Sequence, residues 1–240
     1  MKARIKFRKY GVMKFIGHLD VMRYFQKVMR RADIPIAFTQ GFSPHMIMSF
    51  AQPLGVGVTS DGEYFDIELK ESISSAKAVE QMNKTMVEGM EVVSFVEISD
   101  DKKCSGMTIV AAAEYEVSLL ESNKTSEITK DITDEWTEKI QKFMEQPEIC
   151  ILKKTKRSEK EVDIKPMIYD LKVRDNKIYM FLATGSEQNL KPDLVMQAFL
   201  QFAGEDENTP LHYHRLEVFA KNPENTKELV SLESLGTIIE

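Results

Sequence analysis

The chain has 240 residues, of which 42% are hydrophobic and 29% are charged, and its formal net charge is −6. This content of large apolar side chains is sufficient for a folded core and excludes a disordered chain. No stretch approaches the ~20 consecutive apolar residues of a membrane span, no signal peptide is evident, and two cysteines are too few for a disulfide framework, so we expect a cytoplasmic protein that does not associate with membranes.

Positive charge is concentrated near the beginning of the chain. Residues 1–50 contain ten Lys and Arg residues against two Asp residues, although the chain as a whole is acidic. A basic segment on an acidic protein indicates an anionic partner such as RNA or a nucleotide. The alternative is a basic surface that docks on the chain's own acidic half or on a partner protein, and the sequence favours neither.

Strands and helices alternate in the first half. Apolar and basic residues alternate over residues 2–8 with the period of a half-buried strand, which predicts one wholly basic sheet face. Residues 18–32 show the apolar spacing of an amphipathic helix with a basic back. Extended segments at 34–38 and 46–51 flank a loop at 39–45. The remaining predicted elements are a strand at 64–69, a helix at 74–88 and a strand at 92–98.

A polar segment at residues 100–106 is the predicted linker to the second half. Asp175-Asn176 predicts a hairpin turn between two short strands, and Pro192 and Gly204 mark the first position and the end of the last helix. The other elements follow from hydrophobic periodicity. They are strands at 113–119, 149–153, 167–173, 178–183 and 211–220, and helices at 131–146 and 192–203.

Both halves predict an α+β fold class with mainly antiparallel sheets. The first half has the order β-α-β-β-α-β, which is the ferredoxin-like arrangement, and the second half has a related order. We therefore expect two tandem ferredoxin-like units, at residues 1–100 and 107–222, followed by a C-terminal tail at residues 223–240.

A set of short motifs between residues 15 and 70 resembles the radical SAM-linked protein family, a domain of unknown function. The motifs are Gly17-His18-Leu19-Asp20, a basic helix ending in Arg30-Arg31-Ala32, Gln40-Gly41-Phe42-Ser43-Pro44-His45, Ser49-Phe50-Ala51, Pro53-Leu54-Gly55-Val56-Gly57 and Glu63-Tyr64. Weaker similarity continues at residues 162–166 and 185–195. One departure is that Met46 and Ile47 follow His45, where the family pattern has Pro and a basic residue, which argues against anion binding at that end of the loop.

The resemblance implies a shared pathway, and a physical complex, with a radical SAM protein. The chain itself lacks the three-cysteine motif that holds the cluster of radical SAM enzymes, so we expect it to be the companion and not the radical enzyme. The resemblance supplies no catalytic residue. Cys104 and Cys150 are expected to be inert thiols.

Three residues are candidates for acid/base chemistry, namely His18, Asp20 and His45. A histidine exchanges protons near neutral pH, and a neighbouring carboxylate fixes its tautomer. The structural alternatives are a residue at the helix start for His18, a first-turn carboxylate near Arg23 for Asp20, and a turn residue bonded to backbone for His45.

The predicted ligand-binding residues combine the basic back of the helix with the following loop. Amides and polar side chains near Gly41 can hold a phosphate or a base edge while Phe42 stacks. The residues are Arg23, Lys27, Arg30, Arg31, Gln40, Gly41, Phe42, Ser43 and His45. Asp163 and Lys165 are added from a second family-like motif. The structural alternative for these two residues is a salt-bridged turn.

The sequence therefore supports three functional hypotheses and predicts no metal site and no cofactor. The first is an accessory protein of a radical SAM enzyme that binds RNA or a nucleotide-like anion. The second is a metal-independent RNA-processing enzyme that uses His18 or His45. The third is a scaffold that binds only protein, and we favour a non-enzymatic role over an enzyme.

Overall fold

The computed structural model describes residues 1–121, 129–154 and 159–240. The chain divides into two compact units, the first formed by residues 1–111 and 215–240 and the second by residues 112–214. Among the helices of the described ranges, none has the length and apolar character that crossing a bilayer requires.

Twelve strands and five helices occur in the described residues. The strands are β1 (Lys2–Lys9), β2 (Met48–Phe50), β3 (Thr59–Glu68), β4 (Met90–Ile98), β5 (Val110–Leu120), β6 (Thr129–Lys130), β7 (Cys150–Lys154), β8 (Glu159–Asp163), β9 (Ile168–Arg174), β10 (Lys177–Ala183), β11 (Leu211–Lys221) and β12 (Leu229–Ser231). The helices are α1 (His18–Arg31), α2 (Ser75–Asn83), α3 (Gly106–Ile109), α4 (Asp134–Glu145) and α5 (Pro192–Ala203). The predicted α+β class with mainly antiparallel pairing is confirmed.

In the first unit, β1 lies between β4 and β3 and pairs antiparallel with both. On the other side of β3 lie β2 and β11, and β12 pairs with β11. The order from β1 to β4 is β-α-β-β-α-β, as the sequence predicts. The assignment of both units to tandem ferredoxin-like folds stays a prediction.

The core of the first unit lies between this sheet and the helices α1 and α2. Phe7 of β1 meets Phe25 of α1 with ring centroids 4.7 Å apart, and Phe65 of β3 lies 4.6 Å from Phe25. All three rings are at most 1% exposed. Since burying a large apolar side chain contributes about 1.5–3 kcal/mol, this aromatic cluster holds α1 firmly on the sheet.

The opposite face of β1 is not the exposed basic surface that the sequence predicts. Arg4 is buried, Lys6 and Arg8 bond to carboxylates of the same unit, and the Lys2 ammonium donates to the Asp100 carbonyl. The prediction of a wholly basic outer face is therefore wrong for β1. Alternation showed that these residues share a face, but not that acidic residues distant in sequence cover it.

Helix α2 ends earlier than the predicted range of residues 74–88. Its last residue, Asn83, exchanges two side-chain hydrogen bonds with the backbone of Val92, one to the carbonyl and one from the amide, both of 2.8 Å. These bonds draw the chain out of the helix and towards β4. Gly89, at φ +93°, lies beyond this turn, so it is not the residue that ends the helix.

The unit boundaries also differ from the predicted ranges. The segment predicted as a linker packs on the first unit, where the Gly106 amide donates to Asp66 over 2.7 Å. The predicted tail does so too, because Thr237 pairs with Glu97 of β4. The polar composition of the first segment suggested a linker, but long-range hydrogen bonds hold both segments in place.

In the second unit, β5, β10 and β9 form antiparallel pairs, while β7 and β8 pair antiparallel in a separate two-stranded sheet. Asp175 and Asn176 have positive φ angles of 50° and 59°, so the predicted turn between β9 and β10 is confirmed. Helices α4 and α5 pack through Trp136 and Phe199, whose ring centroids lie 5.4 Å apart. Pro192 begins α5, and Gly204 at φ +67° ends it, as predicted.

Candidate functional site

Helix α1 presents a basic stripe to solvent. Its apolar residues Val21, Phe25 and Val28 are buried against the sheet, so side chains on the other side of the helix point outwards. That side carries four exposed cations, at spacings of four, seven and eight residues from the first. They are Arg23, Lys27, Arg30 and Arg31.

Within the described residues, the first cation of this stripe is the one with an acidic partner. Arg23 bonds to Asp20 over 3.3 Å, and both side chains are more than 60% exposed. No carboxylate lies within ion-pair distance of Lys27, Arg30 or Arg31 in the ranges that the structure describes. The stripe therefore carries an excess of positive charge that the described carboxylates do not neutralise.

The loop between Phe38 and Met46 is the tip of a narrow hairpin. Phe38 and Met46 form a bridge at its base, and the Thr39 amide donates to the His45 carbonyl over 2.9 Å. Gly41 has φ +112°, a conformation that L side chains rarely adopt. Phe42 is fully exposed at the tip, and Gln40 and Ser43 are exposed beside it. An exposed aromatic ring on a backbone turn is suited to stacking on a planar ligand.

His45 belongs to this hairpin and is exposed. Its Nδ1 lies 3.1 Å from the Thr39 hydroxyl oxygen, and its backbone amide donates to the same oxygen over 3.1 Å. These contacts correspond to the structural alternative considered for His45, a turn residue. In the described residues these contacts bring no catalytic partner to the His45 ring.

Lys6 and Arg8 of β1 are neutralised within the first unit. The Lys6 ammonium donates to Glu217 over 2.6 Å and to Glu233 over 3.3 Å, and the guanidinium of Arg8 lies 3.2 Å from Glu91. Burial lowers the pKa of Lys6, but the two carboxylates outweigh burial and the pKa is raised overall. These cations are therefore paired within the folded framework, in contrast to those of α1.

Beside α1 lies a small cavity, which we name the His18 cavity. Its volume is about 10 Å³, close to that of the space one water molecule needs. It is lined by Phe7, Lys9, His18, Val21, Phe50, Pro53, Leu54 and Glu63. Five of these residues come from the motifs on which the family resemblance depends, so the fold gathers distant motifs around one point.

Lys9 is the unexpected member of this lining. It is 1% exposed, and its ammonium donates a 3.0 Å hydrogen bond to the Ile16 carbonyl. Burial lowers its pKa, Glu63 opposes that effect, and the positive charge of Arg215 adds to it. A lysine in this position is held in a less polar environment than its charge favours.

Glu63, the carboxylate that opposes the lowering of the Lys9 pKa, forms an ion pair with another cation. Arg215 of β11 donates to Glu63 through Nε over 2.7 Å and through Nη2, and both side chains are at most 5% exposed. The same Nη2 donates to the Gln52 carbonyl over 2.6 Å. The pair therefore fixes the beginning of the loop that carries Pro53 and Leu54.

The structure separates the predicted acid/base residues. His18 lines the cavity and its ring meets Phe50 edge to face at 5.1 Å, whereas His45 contacts Thr39 and does not line the cavity. Asp20 is exposed and bonds to Arg23. The described contacts do not bring any two of these three residues together as an acid/base pair.

Asp163 and Lys165 lie in the second unit, at the end of β8. Asp163 accepts hydrogen bonds from the amides of Ile149 and Lys165, over 2.9 and 3.0 Å, and the Lys165 ammonium donates to the Gln146 carbonyl. These contacts hold a turn together, and β8 itself was not predicted. A ligand-binding role for the two residues stays a prediction.

Sequence reasoning missed Lys9, Glu63 and Arg215 as site residues. A signal for Lys9 was present, because it continues the odd-numbered apolar positions of β1 after Ala3, Ile5 and Phe7. A charged residue in a core position is a departure from the strand pattern. No local signal could have revealed Arg215, which lies 152 residues from its partner Glu63.

Comparisons with known proteins give a family but no activity. No curated protein is significantly similar to the chain. Among solved structures, a chain from the "Crystal Structure of a Cbf5-Nop10-Gar1 Complex" is similar with a TM-score of 0.44 and 11% sequence identity. The match covers 90% of this chain and 48% of that chain, so this chain spans about half of its length.

A family model described as "Uncharacterized protein conserved in bacteria (DUF2344)" matches residues 2–192. The matched range contains β1, α1, the Thr39–His45 hairpin and all the residues that line the His18 cavity. The chain belongs to this family of uncharacterized bacterial proteins.

Proposed function

We propose that this chain is a cytoplasmic accessory protein of a radical SAM enzyme and that its first unit binds RNA through the basic stripe of α1 and the Thr39–His45 hairpin. The link to a radical SAM enzyme rests on the motif resemblance. The binding of RNA rests on one observation, that the cations of α1 remain exposed with a single acidic partner among the described residues.

The contrast with β1 makes this observation informative. Arg4, Lys6 and Arg8 of β1 are bonded to carboxylates of their own unit, so the chain neutralises one part of its basic segment and leaves the other exposed. From Arg23 to Arg31, α1 extends about 12 Å, which is long enough for contacts with several successive phosphates. The exposed ring of Phe42 adds a surface on which a base can stack.

A salt-dependent binding experiment tests this proposal. Filter binding of the full chain to a random-sequence single-stranded RNA oligonucleotide is measured between about 50 and 200 mM salt. We expect the logarithm of the binding constant to fall linearly with the logarithm of the salt concentration. In a Lys27→Glu/Arg30→Glu variant the slope becomes shallower by about 0.7 for each phosphate contact that is lost.

The matched control is Lys77→Glu/Lys84→Glu, which makes the same change in net charge on α2 and the residue that follows it. If the control weakens binding as much as the α1 variant does, only the net charge matters and the proposed surface is wrong. Binding that is absent, or that does not change with salt, also contradicts the proposal.

The partnership with a radical SAM enzyme has its own test. Affinity purification of the tagged chain from its source should recover a radical SAM protein, with or without prior ribonuclease treatment. Recovery that persists after ribonuclease treatment, together with no RNA binding in the filter assay, would favour the scaffold hypothesis. The RNA-processing alternative gains no specific support, because His18 and His45 have separate surroundings.

A further inference from the structure

We propose that four exposed apolar side chains at and beside the beginning of α1 form the docking surface for a partner protein, which contacts it through a segment that combines apolar side chains with carboxylates. The four residues, which we name the apolar patch, are Val12, Phe15, Leu19 and Val56. This assignment rests on the proposed accessory role and adds to it the place where the partner binds.

The apolar patch is exposed although its neighbours are packed. Its four side chains are between 59% and 75% exposed, whereas Met13 and Ile16 of the same segment pack against the core of the first unit. Single exposed apolar residues are normal on a protein surface, but several in one place mark a site where another molecule binds. The segment thus uses some of its apolar residues for the fold and leaves the others to solvent.

Local geometry brings two segments of the chain together in the patch. Val12 and Phe15 belong to a short 3₁₀ helix, Gly11–Phe15, in which residues three apart lie on the same side. Gly17 follows this helix and lies against Val56, because a Cβ atom at Gly17 would be 3.8 Å from the Val56 Cγ2 atom. The patch therefore spans both segments.

Hydrogen bonds hold the segment that carries the patch in place. The Gly57 amide donates to the Lys14 carbonyl over 2.8 Å, which ties the two segments together. The buried Lys9 ammonium donates to the Ile16 carbonyl over 3.0 Å. Because these bonds fix the backbone before a partner arrives, little conformational entropy is lost on binding.

The charges beside the patch decide which kind of partner fits. Leu19 lies on α1 four residues before Arg23 and eight before Lys27, so the patch continues into the basic stripe of the helix. Residues 10–31 contain five Lys and Arg residues and one acidic residue. A partner that covers the patch meets this positive charge, which carboxylates beside its own apolar side chains complement.

Other occupants fit the patch less well. In a symmetric dimer, a second copy of the chain would bring the same cations together across the interface. RNA has bases that stack on rings, but three of the four side chains are aliphatic. The long apolar face with which an amphipathic helix enters a lipid surface is absent here, because the apolar side of α1 is buried against the sheet.

Selection from a phage-displayed library of short random peptides tests the proposal on the full chain. We expect enrichment of peptides that contain both large apolar residues and Asp or Glu. Fluorescence-polarisation titration of a selected peptide should show binding weakened by roughly tenfold or more in a Val12→Ser/Phe15→Ser variant. Replacing the carboxylates of the peptide by amides should also weaken binding. No enrichment, or binding that the variant retains, overturns the proposal.

The matched control is Phe42→Ser/Met107→Ser, which replaces two other exposed apolar residues of the first unit and should bind the peptide as the wild type does. Equal weakening in both double variants overturns the proposal. Val56→Ser reaches the patch from the second segment and should also weaken binding, so the test stays decisive if Val12→Ser/Phe15→Ser does not fold.

Two measurements identify the other occupants. Light scattering gives the mass of the chain in solution, and co-sedimentation with vesicles of phosphatidylcholine and phosphatidylglycerol measures lipid binding. A dimer that becomes monomeric in Val12→Ser/Phe15→Ser overturns the proposal in favour of a second copy. Vesicle binding that this variant loses overturns it in favour of a lipid surface.

Affinity purification separates this proposal from the radical SAM partnership. If Val12→Ser/Phe15→Ser recovers a radical SAM protein at the wild-type level, that enzyme docks elsewhere, and the docking surface is wrong while the partnership stands. Peptide binding that depends on the patch, without recovery of a radical SAM protein by the wild type, supports the docking surface and removes that enzyme as its partner.

Discussion

Arg4 and Asp66 form a buried two-contact ion pair between β1 and β3, in which Nε lies 2.8 Å from Oδ1 and Nη2 lies 3.1 Å from Oδ2. Arg4 is 1% exposed. The guanidinium also donates to the carbonyls of Cys104 and Leu232, and Asp66 accepts from the Gly106 amide. One arginine thus joins the sheet to two segments that are distant in sequence.

This geometry predicts that Arg4→Met strongly destabilises the first unit. The variant leaves the Asp66 carboxylate buried without its cation, and breaking a buried pair in this way costs about 3–5 kcal/mol. Urea unfolding followed by circular dichroism measures the change in the free energy of unfolding.

The matched control for Arg4→Met is Arg23→Met, which removes an arginine from an exposed pair with Asp20. Such pairs contribute about 0–1 kcal/mol, so the control should unfold almost as the wild type does. A loss of less than about 1 kcal/mol in Arg4→Met would show that the pair is not the anchor described above.

The lowered pKa of buried Lys9 predicts a specific dependence of the free energy of unfolding on pH. Its pKa in the folded chain is lowered from the ordinary value of 10.5, chiefly by burial. Between the lowered pKa and 10.5, the unfolded chain binds more protons than the folded chain at this site, so the free energy of unfolding rises with pH. Below that window both states carry the proton, and the cost of burying the charge is present in full.

The measurement is the difference in unfolding free energy between wild type and Lys9→Met, taken at several pH values from 7 to 10.5. The wild type should gain stability relative to the variant as the pH rises. A difference that stays constant, or that changes in the opposite direction, is incompatible with a buried lysine of lowered pKa. Lys77→Met is the reference for an exposed lysine.

A substitution of Phe42 tests ligand binding without disturbing the fold, because the Phe42 ring is fully exposed and contributes no packing. Phe42→Ala should change the free energy of unfolding by less than about 0.5 kcal/mol. If the ring stacks on a base, the same variant loses about 1–3 kcal/mol of RNA-binding free energy, roughly 5- to 150-fold in affinity.

The control for Phe42→Ala is Phe15→Ala, which removes another exposed phenylalanine ring from the first unit. It should bind RNA as tightly as the wild type in the filter assay. Equal affinities of Phe42→Ala and wild type would remove the hairpin tip from the proposed binding surface, even if the stripe on α1 is retained.

Sequence periodicity predicted most of the longer elements of this protein and the faces of its first strand and helix. The apolar spacing in α1 predicted both its buried side and its exposed cations, because a helix with one packed face leaves the other in solvent. The positions of Asp175 and Asn176 predicted their turn, since few residues adopt positive φ. The family motifs were likewise visible in the linear sequence.

Only the tertiary structure decided which charged side chains are paired within the protein and which can meet a ligand. Alternation placed Arg4 and Lys6 on one strand face but could not show that Asp66 and Glu217 cover that face. Lys6 and Glu217 are 211 residues apart, and pairing over such distances depends on how strands assemble. For the same reason Lys9 and Arg215 entered the candidate site only when β1, β3 and β11 were seen together, because local patterns contain no information on contacts between distant segments.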